Sequence, residues 1–175
     1  MLLHYFKKKE NKDKLVSAKL YKSIVKSTQI ISNKSEYTIK SEFNSYFELM
    51  VILLFIIFFV YKKNKKNKLV NQELMNLFII DIDHTLREKG IGDMSIGKYV
   101  KAYVKKIYYR ISKLDRMILE EDYLNFNKYI KMINIQNNQD NQKNFSKYLF
   151  NTIIISVKFA KKEDISKFNI TKFIN

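Results

Sequence analysis

The sequence predicts an all-α protein: a compact helical domain of about five to six helices with a short variable C-terminal extension. Three observations carry that expectation. The 175 residues contain no proline, and the three glycines fall in one window at 90, 92 and 97, so helix breakers are confined to a single turn. Apolar residues recur at helical spacing over most of the chain. The hydrophobic share of 46% suits one domain with a real core.

Taken in order, residues 1–16 read as a loose basic arm. From Ser17 to about Ile31, Leu20, Ile24, Val25 and Ile30 recur at helical spacing. Residues 32–44 are polar and read as a loop. A second helix is expected over 45–61, opened by Ser45 and Glu48 as an S-x-x-E capping box. Its apolar run, Leu49 to Tyr61, would span only about 20 Å against roughly 30 Å of hydrocarbon. A buried core helix is therefore favoured over a membrane span. The lysine-rich stretch 62–68 reads as a solvated linker, with a membrane-surface anchor as the alternative.

Leu69 to Lys89 forms the third helix, with Leu74, Met75, Phe78, Ile79, Ile82 and Leu86 on one arc and Asn76, Asp83 and Arg87 opposite. Gly90 falls at the left-handed C-terminal cap, and Asp93 and Ser95 offer N-caps for the next helix. That helix, Ile96 to about Leu114, carries Tyr99, Val100, Tyr103, Val104, Ile107, Tyr108 and Ile111 on its apolar stripe, with Lys98, Lys101, Lys105 and Lys106 largely away from it. A further helix covers about 122–135, started by Glu120, Glu121 and Asp122. The domain proper is thus placed at 17–135. Residues 136–144 read as a low-complexity polar hinge within an extension over 136–175. There, Thr152 to Phe159 fits a short strand or a buried helix end.

Composition excludes several functions. Without cysteine there are no disulfides or thiolate metal sites, and two histidines, His4 and His84, are too few for a histidine-rich zinc centre. The N-terminus, MLLHYFKKKENKDK, lacks the charge order and apolar length of a secretory signal. The net charge of +16 is almost all lysine. It is explained equally by compositional drift and by a surface for anionic headgroups or ribosomal RNA.

One segment invites a catalytic reading. LFIIDIDHTL, residues 77–86, fits the D-x-D-x-T opening of the haloacid dehalogenase-like phosphatases, with Asp81 as nucleophile and Asp83 as general acid/base beside magnesium. Three points oppose it. On a helix Asp81 and Asp83 point about 200° apart. The residues that follow are helix upon helix rather than alternating strands and helices. No downstream lysine or acidic pair completes the site. The alternative functions are therefore this phosphatase or a membrane-associated basic binding protein.

Extended to Lys98, the same segment reads Asp83, Leu86, Arg87, Glu88, Gly90, Gly92, Asp93, Ser95, Gly97, Lys98. It resembles the central string of the ubiquinol–cytochrome c chaperone family of mitochondria and alphaproteobacteria. LYKSIVKST (20–28) resembles the family's opening helix and FNSYFELMVILLFII (43–57) its second. The stretch 98–111, with Tyr108 and Arg110, resembles a segment ending in an aromatic–basic motif. The resemblance covers residues 18 to about 135. The family's second helix usually has more polar residues and a histidine, and neither the linker 62–68 nor the tail beyond 136 matches it.

The resemblance implies a non-catalytic, cofactor-free assembly chaperone for the ubiquinol–cytochrome c reductase complex. Its implied client is cytochrome b or its nascent chain, with the ribosome, an anionic membrane surface and a helper subunit as further partners and no specific DNA. Implied locations are the cytoplasm, peripheral at the inner membrane, or the matrix side of a mitochondrion. Asp83, Arg87, Glu88, Gly90, Gly92 and Asp93 form the candidate client or partner contact, and no residue is assigned a catalytic, cofactor or metal role. Asp83–Arg87 and His84–Glu88 are i, i+4 pairs on the polar face. Gly90 and Gly92 are expected at positive φ, and Asp93 as the next helix's cap. Twelve tyrosines and thirteen phenylalanines fill the core, with some available to line a groove for a hydrophobic client helix.

Overall fold

The computed structural model describes residues 2–62, 64–138 and 140–174, with side chains from Lys12 onward. Six α-helices are present among them: α1 (Leu2–Ser32), α2 (Phe43–Tyr61), α3 (Lys68–Glu88), α4 (Asp93–Leu119), α5 (Tyr123–Ile133) and α6 (Gln142–Ala160). Short 3-10 turns cover Ser35–Tyr37, Lys65–Asn67 and Ile170–Phe173. Among the described residues there is no strand beyond one antiparallel bridge between Ile39 and Gln136. The all-α expectation holds.

The organising element is α2. It is apolar on every face, and such a helix is stable in a folded chain only when it is surrounded. Here α1, α4 and α6 pack around it with a lighter contact from α3. Its side chains from Val51 to Ile57 are all at most 1% exposed. By length and composition α2 alone among the described helices is apolar enough to cross a membrane. In this structure it is the centre of the bundle.

Several expectations change. Residues 2–16, expected as a loose arm, are the first half of α1. Val16 and Ser17 are already buried, and the Ser17 hydroxyl donates to the Val70 carbonyl on α3 at 3.0 Å. Ser45 and Glu48 form no capping box. The helix starts two residues earlier, its first turn closes on the Glu42 carbonyl, and both side chains are buried inside it.

The hinge and the tail join the same bundle. Gln136 is buried and donates to the Tyr37 carbonyl at 2.9 Å, and Asn141 donates to the Glu36 carbonyl at 3.0 Å. Two backbone bonds, Lys40 to Ile135 and Asn137 to Thr38, close that junction. Thr152–Phe159 is the C-terminal half of α6, with Thr152, Ile153, Ser156 and Val157 buried, so of the two expectations the buried helix end holds and the strand does not. Ile165, Phe168, Ile170 and Ile174 are buried at the end of the chain, and Tyr148 donates to the Ile174 carbonyl at 2.6 Å.

The turn after α3 follows the sequence closely at one glycine and departs at the other. Gly90 has φ +87. Its N–H bonds the Arg87 carbonyl at 2.8 Å and that of Ile91 bonds the Leu86 carbonyl at 3.2 Å. This is the Schellman closure of a helix, with Ile91 packed on the core beyond it. Gly92 has φ −71, precedes α4 as its N-cap, and has open space where a Cβ would lie. Asp93 is the first residue of α4 rather than its cap, and no side chain caps that helix. At the other end of α4, Asp122 caps α5 by accepting from Asn125 N–H at 3.0 Å, which holds its carboxyl below the usual carboxylate range.

Only Gly90 therefore needs to be glycine. Gly90→Ala is expected to lower unfolding free energy by about 1 kcal/mol, and Gly92→Ala, at an N-cap where alanine ranks below glycine, by about half as much, both read from urea melts.

Candidate functional site

The predicted contact residues come together at the elbow between α3 and α4. Arg87 donates through Nε to Asp83 at 2.6 Å, and its Nη1 forms a second ion pair with Asp93 across the turn. One guanidinium thus ties the last turn of α3 to the first residue of α4. Both hydrogen bonds raise its pKa further. All three side chains face solvent to some degree, so the arrangement sets geometry more than stability. Glu88, Gly90 and Gly92 are exposed. His84 is exposed too, and no His84–Glu88 bond forms among the described residues.

The D-x-D-x-T segment lies wholly within α3, without the strand a phosphatase needs. Asp81 accepts a 2.5 Å hydrogen bond from Tyr21 on α1, while Asp83 turns to Arg87. Burial, reinforced by Asp81, drives the Tyr21 hydroxyl pKa well up, so it stays a donor. The Thr85 hydroxyl is bonded to the Asp81 carbonyl at 2.8 Å as an intrahelical contact. Among the described residues no group of three or more histidines and carboxylates could hold a metal.

A second charged constellation was not foreseen. Glu48 on α2 is 2% exposed. Arg110 on α4 meets it in a fork, Nη2 to Oε1 at 3.0 Å and Nε to Oε2 at 3.1 Å, and Lys106 reaches Oε1 at 2.9 Å. Aromatic rings enclose these cations. The Lys106 ammonium lies 4.9 Å from the Phe47 ring centroid, and the Arg110 guanidinium 5.6 Å from that of Tyr129. Burial and the Glu48 charge push the Tyr103 and Tyr129 hydroxyls up in pKa. Lys106 thus faces the bundle, against the expectation that it lies away from the apolar stripe. Tyr99 and Tyr108, assigned to that stripe, are 47% and 59% exposed. The signal in the sequence was an acid inside an otherwise apolar helix, which burial must pair with a cation.

Most aromatic residues pair within the core, as in Phe47 with Phe78 and Tyr37 with Phe145. An aromatic-lined cleft of about 410 Å³ lies between α1, α2 and α3, bordered by Phe43, Phe47, Met50 and Phe78 with Asp81 and Thr85. It shares α3 with the elbow.

The elbow, the buried ion cluster and the apolar cleft are thus set on a helical bundle with no catalytic constellation among the described residues. The chain belongs to the ubiquinol–cytochrome c chaperone family: the family model matches residues 35–125, a little over half of its length. It is also similar to the crystal structure of the Cbp3 homolog from Brucella abortus, with a TM-score of 0.80 and 19% identity over 98% of this chain and 94% of that one. That likeness establishes the fold, including α6 and the C-terminal turn outside the family match. None of the curated proteins compared with the chain matches it.

Glu48→Ala is expected to cost roughly 3–5 kcal/mol in chemical denaturation, because it leaves the buried Arg110 without its partner, and Arg110→Met less than that, because Lys106 still pairs with Glu48. The double change Glu48→Leu with Arg110→Leu should recover part of that loss. Purified protein should release no phosphate from a phosphoester in magnesium, and hydrolysis abolished by Asp81→Asn would reinstate the phosphatase.

Proposed function

We propose that this chain is a non-catalytic assembly chaperone whose client is newly made cytochrome b of the ubiquinol–cytochrome c reductase complex. The observation that carries the proposal is membership of the chaperone family through a match that includes the whole α3–α4 elbow. The elbow supports a binding role physically. Asp83, Arg87 and Asp93 present fixed charges of both signs at a turn that the Gly90 closure rigidifies, and preorganised groups lose little entropy on binding. Glu88 and the exposed backbone at Gly90 and Gly92 extend that surface. The neighbouring cleft offers an apolar segment a place beside it.

In this proposal the protein works in the cytoplasm of a bacterium, peripheral at the inner membrane, or on the matrix side of a mitochondrion. The ribosome and a helper subunit are the further partners consistent with meeting a nascent chain, and no cofactor is required.

In a deletion strain complemented with tagged protein, cytochrome b should co-purify with the chain, and Arg87→Glu should reduce its recovery several-fold at unchanged chaperone level. Normal levels of the reductase complex in the uncomplemented deletion would refute the chaperone function.

A further inference from the structure

A groove of about 660 Å³ lies between the C-terminal end of α2, the first half of α3 and the middle of α4. Phe58, Met75, Ile79 and Ile111, all half-buried, supply its apolar lining, and exposed Tyr108 borders it. Its charged residues are Lys62, Lys65 and Lys68, with no carboxylate among the lining residues. Lys62 is held by Asp115, whereas Lys65 and Lys68 are exposed and form no ion pair among the described residues. These cations precede Met75 and Ile79 in sequence, so charge gathers at the α3 N-terminal end and apolar surface follows it. Asn64, Asn71, Gln72 and Asn76 complete the lining as neutral amides.

The same place is where α2 comes to the surface. Val51 to Ile57 are covered completely, but Phe58, Phe59 and Val60 are half-exposed in the turn before the lysines. An acidic helix of a protein partner would call for cations along the whole groove. A molecule with one anionic end and an apolar body fits cations at one end alone.

We propose that this groove takes an anionic phospholipid, its phosphate against Lys65 and Lys68 and an acyl chain along Phe58, Met75, Ile79 and Ile111, docking the protein on a negatively charged bilayer. The inference deepens the peripheral placement above and does not depend on the client's identity. Lysines beside apolar surface gain from the negative potential of such a bilayer, each by about fivefold in binding.

The test is co-sedimentation of the purified chain with phosphatidylglycerol–phosphatidylcholine vesicles and with pure phosphatidylcholine vesicles. Binding is expected only to the former. The pair Lys65→Glu with Lys68→Glu should weaken it at least about twentyfold, and Ile79→Gln should weaken it without any change in charge. Lys158→Glu with Lys161→Glu, an equal charge change on exposed residues at the end of α6, serves as control and should lose much less. Absence of binding to anionic vesicles overturns the proposal. So does equal loss in the two charge-reversed pairs, which would reduce the effect to bulk charge, or displacement of the vesicles by free glycerol phosphate, which would make it a soluble-anion site. Vesicle binding without cytochrome b recovery would refute the chaperone function alone, and the converse would refute the lipid site alone.

Discussion

Helix α2 is apolar around its whole circumference yet carries one carboxylate, Glu48, in its first half. Enclosing the helix removes most of a dozen large side chains from water, each contributing roughly 1.5–3 kcal/mol by area. The same enclosure would strand Glu48 in a low-dielectric interior, where an unpaired charge is far more costly than any single apolar contact is favourable. The bundle therefore has to deliver cations to one spot. Lys106 and Arg110, one turn apart on α4, do so, and this fixes which face of α4 meets α2 and at what height.

With α4 pinned there, the geometry of the elbow follows. The Schellman closure at Gly90 stops α3 and reverses the chain within a few residues, and Arg87 bridges the two helix ends through Asp83 and Asp93. The elbow is held from below by core packing at Leu86, Ile91 and Ile96 and from above by exposed ion pairs. Its charged groups are free to meet a partner because the stability of the turn rests on backbone and packing.

The two ends of α3 are chemically different. Its N-terminal end carries the lysines beside the groove, and its C-terminal end carries the mixed-charge elbow. At 1.5 Å per residue they are about 30 Å apart. The proposed lipid groove and the proposed client contact therefore do not overlap and can be occupied together.

Much of this was legible in the residues. Absence of proline, clustered glycines and helical periodicity determined the helices of the central domain, and α3 with its Gly90 stop was placed to within a residue. Those features are local: a turn at positive φ or an apolar arc depends on neighbours within a few positions. The Asp83–Arg87 pair was legible for the same reason. What the sequence could not determine was partnership across the chain. Glu48 looked like a capping residue because the S-x-x-E pattern is local, while its real partners lie on α4, about sixty residues away. The tail from 136 read as an extension outside the domain because it opens on a polar, low-complexity stretch, yet the packing of α6 against α2 and of the last turn against α1 makes it part of the core. Only the tertiary structure decided these, because desolvation acts on a side chain's surroundings in space and not on its neighbours in sequence.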